Sequence, residues 1–347
     1  MSKLMPAARL LVPAVALSAL LAATAAAGSQ GEGRIVFRGY LDPAKTTGAV
    51  STIAPDGTKR VQLTHPPRGT IDTEPDWSAD GSRIAFERQV PCPAGGHRDG
   101  LNNTCDLVYT MKSDGTGVKQ LVECGFDAGA SFPGNCVGVD HPGWSPDGSK
   151  LAFQYNLVDP RYTDSLDLSA GIWIVDADGT DAHQVTQRTP GRFWDFGPQW
   201  SPDGAKLAFF RRDLKADREA IYTVAANGAG ESRVTPAALN AANPNWSPDG
   251  RWILFSAEAG DGSANLYKIH PDGTGLTNLT KERASGFHYL SASFAPGGRV
   301  IVTARTPGTG PERAADLVVM NADGSNARPI TRTRLWESGA DWGRAGG

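Results

Sequence analysis

The sequence predicts an all-β fold in which six four-stranded sheets form a ring closed on itself. Three observations predict it. One short phrase recurs along the chain, a second phrase alternates with it, and the two chain ends supply the halves of one missing copy. A repeat of this length makes the fold an array of like units and outranks local readings.

The first phrase is an aromatic residue, a tight turn ending in Gly, and an apolar run. Trp77 to Gly81 leads into Ile84-Ala85-Phe86, and Trp144 to Gly148 into Leu151-Ala152-Phe153. Trp200 to Gly204 leads into Leu207-Ala208-Phe209, and Trp246 to Gly250 into Ile253-Leu254-Phe255. Phe294 to Gly298, before Val300-Ile301-Val302, is a worn copy. In the fullest copies the turn reads Ser-Pro-Asp-Gly. Pro presets φ, Asp tolerates the bridge region, and Gly supplies the positive φ that closes a hairpin. These Asp residues are read as turn formers, not as catalysts.

The second phrase is a short strand, Asp-Gly or Asn-Gly, and a strand that usually ends in Thr. Its six copies are Val50 to Gly57, Val108 to Gly115, Ile172 to Gly179, Ile221 to Gly228, Leu266 to Gly273 and Leu317 to Gly324. Only five first phrases are complete. Ala340-Asp341-Trp342-Gly343 looks like the strand before the missing turn, and Gly33-Arg34-Ile35-Val36-Phe37 like the strand after it. Each unit then has strands a to d, and the chain starts at b and ends at a of one shared unit. Pairing these ends removes free lateral edges. Aromatic spacings of 46 to 67 residues suit propeller blades with loop insertions. The expected architecture is a six-bladed β-propeller of four-stranded blades.

Residues 1–27 read differently. Lys3 and Arg9 precede an apolar stretch through Leu21, and Ala25-Ala26-Ala27 follows. A charged start, an apolar middle and small residues at the end describe a secretory signal peptide. Residues 28–347 are then one propeller domain, secreted or periplasmic, with no membrane span once the signal is removed. The formal net charge is −3, and the leader holds two basic and no acidic residues. No basic face is apparent, so nucleic-acid binding has no support.

The four cysteines, Cys92, Cys105, Cys124 and Cys136, all fall in one unit of the exported part. An even count in an oxidising compartment argues for two disulfides. Three pairings exist. Cys92–Cys105 with Cys124–Cys136 is favoured because each bond would staple one long loop. Zinc binding lacks a close Cys-x-x-Cys pair.

Strand alternation sorts the loops. The a–b and c–d turns share one face and are short. The b–c loops and d–a connections share the other and carry the length variation, including 91–105, 124–139 and 156–170. Function tends to sit on variable loops held by a rigid scaffold. Strand a should lie innermost, so residues before its aromatic end should ring a channel mouth: Asp72, Glu74, Asp140, His141, Asp195, Asn243, His288 and Glu337. Trp194, Tyr289 and Trp336 join them as stacking or anchoring aromatics. No dedicated metal site or cofactor is expected, although such carboxylates could hold a divalent cation.

The chain contains no Gly-x-Ser-x-Gly elbow, phosphate-cradling loop or His-Glu-x-x-His. Asp176 to Asp181 starts like a calcium loop but lacks its closing Glu.

The alternation of Trp-Ser-Pro-Asp-Gly-x-x-Leu-Ala-Phe with Ile-Tyr-x-Val-x-x-Asp-Gly-x-Gly resembles the TolB-type, WD-like six-bladed propellers of bacteria over most of residues 33–343. The resemblance implies a non-catalytic propeller that binds a protein, peptide or other ligand of the cell envelope. The family's N-terminal α/β domain has no counterpart between Gly28 and Gly33. The alternative is a secreted metal-dependent lyase or hydrolase acting on carbohydrate. Asp140, His141, Asp195 and Glu337 would then supply acid, base and cation ligands at the channel mouth.

Overall fold

The computed structural model describes residues 33–91, 104–122, 136–158, 168–187, 191–236, 238–258, 264–280, 287–307 and 314–344. Every regular element among them is a β-strand. β1 (Arg34–Tyr40), β2 (Gly48–Ile53) and β3 (Val61–Gln62) pair in order, all antiparallel. The next set is β4 (Ile71–Trp77), β5 (Arg83–Pro91), β6 (Thr104–Lys112) and β7 (Lys119–Val122). It is followed by β8 (Cys136–Trp144), β9 (Lys150–Val158), β10 (Leu168–Asp176) and β11 (His183–Gln184). Then come β12 (Phe193–Trp200), β13 (Lys206–Asp213), β14 (Arg218–Ala225) and β15 (Ser232–Arg233). β16 (Ala241–Trp246), β17 (Ile253–Glu258), β18 (Ala264–Ile269) and β19 (Thr277–Asn278) repeat the pattern. So do β20 (Phe287–Phe294), β21 (Val300–Pro307), β22 (Asp316–Asn321) and β23 (Arg328–Pro329). Finally β24 (Glu337–Gly343) returns to β1, with Trp342 opposite Ile35.

The repeated turns hold themselves by side chains. In the first, Gly81 has φ +71° and its N–H donates to the Ser78 carbonyl at 2.8 Å. Asp80 Oδ1 accepts from Ser78 Oγ at 2.6 Å and from the Ser82 N–H at 3.0 Å. Ser78 Oγ also accepts from the Arg83 N–H at 2.9 Å. Ser145/Asp147, Ser201/Asp203 and Ser247/Asp249 repeat the lock. These donors hold the Asp80 and Asp147 carboxyls down at about 2. The recurring Thr has an equally local task. Thr64, Thr186, Thr235, Thr280 and Thr331 each accept, through Oγ1, a backbone N–H of the neighbouring strand.

The second strand of each set packs its apolar run between neighbouring sheets. Phe37, Phe86, Phe153, Phe209 and Phe255 are all fully buried. Burying one such side chain contributes about 1.5–3 kcal/mol.

The first strands β4, β8, β12, β16, β20 and β24 touch in a cycle, the last meeting both β20 and β4. Side-chain acceptors latch several of these neighbours. Asp341 Oδ2 accepts the Trp77 N–H at 2.9 Å, and Asp76 Oδ2 the Trp144 N–H at 2.8 Å. Asn245 Oδ1 accepts the Phe294 N–H at 3.1 Å, and Ser293 Oγ the Trp342 N–H at 3.4 Å.

Candidate functional site

Each first strand breaks register three or four residues before its terminal aromatic. Glu74, His141, Gly197, Asn243 and Gly339 sit at these breaks with φ between +43° and +61°. Such bulges re-aim a side chain at the cost of a strained backbone. Together with Ser291, these residues line one cavity of about 80 Å³. That is room for roughly two or three water molecules. Glycine makes part of the room. A Cβ at Gly197 would lie 3.7 Å from His141 Cδ2, and one at Gly339 would lie 3.5 Å from Glu74 Oε2.

The charged groups gather on one side. Glu87, on β5, is 2 % exposed and accepts from Gln89 Nε2 at 2.7 Å and from the His141 N–H at 3.4 Å. Burial and the neighbouring Asp140 and Glu74 raise its carboxyl to about 7, against a smaller opposing pull from His141. Asp140 Oδ2 accepts from Asn156 Nδ2 at 3.0 Å, and Gln154 Nε2 in turn holds Asn156 Oδ1 at 2.8 Å. Asp140 Oδ1 and His141 Nδ1 are buried without a hydrogen-bond partner among the described residues and lie 3.7 Å apart. Desolvation opposes charging the imidazole, but its side chain is 31 % exposed to the cavity. Asp140, Glu74 and Glu87 prevail and raise it to about 10. One ligand atom from each of Glu87, Asp140 and His141 lies within 4.8 Å of the others. Two carboxylates and an imidazole at that spacing could hold a divalent cation.

Of the residues expected at a channel mouth, Glu74, His141 and Asn243 line this cavity. Asp140 lies behind them. Asp72, Asp195 and Glu337 do not line it; they are 0, 1 and 1 % exposed. Each is neutralised by an arginine. Arg88 grips Asp72 at 2.6 and 2.9 Å, Arg211 grips Asp195 at 2.6 and 2.8 Å, and Arg60 pairs with Glu337. Arg211 also reaches Glu231. The expectation that these three acids ring the channel mouth is not met at this cavity, because they stand five residues before the aromatic, ahead of the bulge. Tyr289 is 1 % exposed and packs in the core with Leu266 and Phe294. His288 Nδ1 accepts from the Ala264 N–H at 3.1 Å. Trp194 meets Phe196 edge-on at 6.1 Å, and the Lys45 ammonium lies 3.9 Å over the Trp336 ring.

Cys105 is 5 % exposed and disulfide-bonded. Cys92, Cys124 and the Cys136 side chain lie outside the described residues, and so does the expected pairing. Sequence reasoning missed Glu87, Asp76 and Asp341. Glu87 could have been found as an acid directly after the apolar run Ile84-Ala85-Phe86. Asp76 and Asp341 share the place just before the repeated Trp with Asn245.

The TolB beta propeller domain family matches residues 107–345. The chain is 31 % identical over 131 residues to the uncharacterized peptidase YuxL of Bacillus subtilis, covering 37 % of this chain and 18 % of that one. It is 26 % identical over 207 residues to the uncharacterized protein Atu1656 of Agrobacterium fabrum, covering 59 % and 57 %. It thus spans less than two thirds of either relative. The crystal structure of TolB from Acinetobacter baumannii superposes with a TM-score of 0.65 at 16 % identity, over 89 % of this chain and 66 % of that one. No helix among the described residues is long and apolar enough to cross a membrane. Repeated hairpins, latched first strands and a match over more than half the length agree: the chain belongs to the TolB beta-propeller family.

Proposed function

We propose that this chain is an exported, six-bladed binding propeller that recognises a protein or peptide of the cell envelope through its long-loop face. The cycle of first-strand contacts and the β24–β1 pair support the closed ring. The observation that carries a binding role over a catalytic one is the size of the central cavity. At about 80 Å³, the room beside the Glu87–Asp140–His141 cluster is well below the roughly 300 Å³ at which small-molecule sites begin, and the larger hollow on the short-turn face is lined by none of these three residues. Binding a partner needs only anchors on a rigid frame, and disulfides at Cys92–Cys105 and Cys124–Cys136 would cut the loop entropy lost on binding.

The test is affinity capture from an envelope fraction, followed by titration of the captured partner against purified chain. Loss of binding on deleting residues 92–105, with the fold intact by circular dichroism, supports the reading. Unchanged binding sinks it.

A second reading is favoured by the Glu87–Asp140–His141 cluster: a metal-dependent activity on carbohydrate. Elemental analysis of purified protein decides it. Stoichiometric metal, lost in His141→Ala together with a polysaccharide-cleaving activity, would favour this reading.

A further inference from the structure

The short-turn face holds a larger hollow than the central cavity. It has a volume of about 570 Å³, within the range of roughly 300–1,000 Å³ usual for ligand sites. Its wall is a ring of aromatics, one from the end of each first strand: Trp77, Trp144, Trp200, Trp246, Phe294 and Trp342. The second residue of the repeated turn adds prolines at 146, 202, 248 and 296. The repeat that builds the fold therefore also builds an aromatic bowl, a consequence of placing identical hairpins around one axis.

The charge of the bowl is unbalanced. Asp76, Asp80 and Asp341 line it, against Arg344 alone. Asp80 is ionised and held by its turn. Asp76 and Asp341 are different. Their partners are neutral donors: the Trp144 N–H for Asp76, and the Trp77 N–H and Ser293 Oγ for Asp341, the last at 2.7 Å. Neither forms an ion pair among the described residues. Burial raises both carboxyls, and the charge of Asp341 pushes Asp76 higher still. A cation placed between them would remove that repulsion. The aromatics of this face already accept cations: the Arg83 guanidinium lies 4.0 Å over Trp144, and the Lys268 ammonium 4.8 Å over Trp252.

We propose that the bowl is a binding site for a small organic cation, an alkylammonium group on an apolar body, with Asp76 and Asp341 as counter-charge and the aromatic ring as wall. This site stands apart from the long-loop face and does not rest on the partner reading above.

The probe is benzyltrimethylammonium, titrated into the full chain by calorimetry and by the indole N–H resonances in NMR. Its neutral tert-butyl isostere is the control. The expected result is saturable binding below ~10 mM, weaker by about tenfold or more for the isostere. The Asp76→Asn/Asp341→Asn variant should lose about tenfold as well. Asn keeps the acceptor that the latch needs, as Asn245 does at the equivalent place. A melting transition as cooperative as the wild type's, at or above its temperature, would confirm that the variant folds. Equal affinity for the isostere, full affinity in the double variant, or calcium binding at the acid pair without any response to the organic cation would each overturn the proposal.

Discussion

The carboxylates of the turns and those of the centre share one chemistry and meet opposite fates. Asp80 and Asp147 sit at the surface, and serine hydroxyls and backbone N–H groups hold them at about 2. Glu87 lies a few residues along the same hairpin and is held at about 7, because burial and nearby acids outweigh its donors. Donor count decides the first case, and desolvation with like charge decides the second. Asp195 is a third kind, buried but gripped by an arginine. The contrast shows that this fold spends its acids on turns, latches and ion pairs, and leaves a few under electrostatic stress near the axis.

The largest test removes a counter-charge. Arg211→Ala should destabilise the protein by about 3–5 kcal/mol, because Asp195 would remain buried and unpaired. Urea unfolding measures it; a loss under about 1 kcal/mol would put Asp195 in the class of the solvated acids.

Two substitutions at one latch come next. Asp341→Ala should cost about 1–3 kcal/mol by orphaning the Trp77 N–H. Asp341→Asn keeps an acceptor and removes the repulsion with Asp76, so its melting temperature at neutral pH should equal or exceed wild type. If both variants fall equally, the charge rather than the hydrogen bond holds the latch.

The pH profile sharpens the contrast. For Glu87 the folded value lies above the unfolded one, so the folded state binds more protons between pH 4.5 and about 7. Its contribution to stability therefore falls as pH rises through that window. His141 is also raised, from 6.5 to about 10. Its stabilisation is complete below 6.5 and is lost as pH rises through about 10. Glu87→Gln should flatten the first window and lessen the second. Melting temperatures across pH 4 to 10 would show both.

The smallest effect belongs to the turns. Asp80 contributes stability above pH 3.8 that is lost as pH falls towards 2. Since its lock lies at the surface, Asp80→Ala should cost about 1 kcal/mol or less. A larger loss would mean that the turn, not the sheet, limits folding.

The hairpins and the apolar runs between them were legible in the sequence because turn chemistry is local, and the pairing of Trp342 with Ile35 was legible because the two chain ends supply the halves of one missing repeat. The site was legible only in part. Glu74, His141 and Asn243 were found by counting back from the aromatic. Asp72, Asp195 and Glu337 were expected beside them and lie in the sheets. The cause is the bulge, which depends on positive φ at non-glycine positions such as Glu74 and His141. Proline after four of the five positive-φ residues was no guide, since a residue before proline usually favours extended backbone. The arginines that neutralise the three acids come from other strands or loops, 16 residues away for Asp72 and Asp195 and 277 for Glu337. No spacing rule brings them together.

The β24–β1 seam has a temporal consequence. Synthesis delivers the first strand hundreds of residues before the one that flanks it. Until Glu337–Gly343 arrives, Ile35 and its neighbours must wait beside an open edge. Anything that holds the young polypeptide extended and out of reach of other chains would protect that edge, and a break in the last seven residues of the seam would undo the earliest ones made.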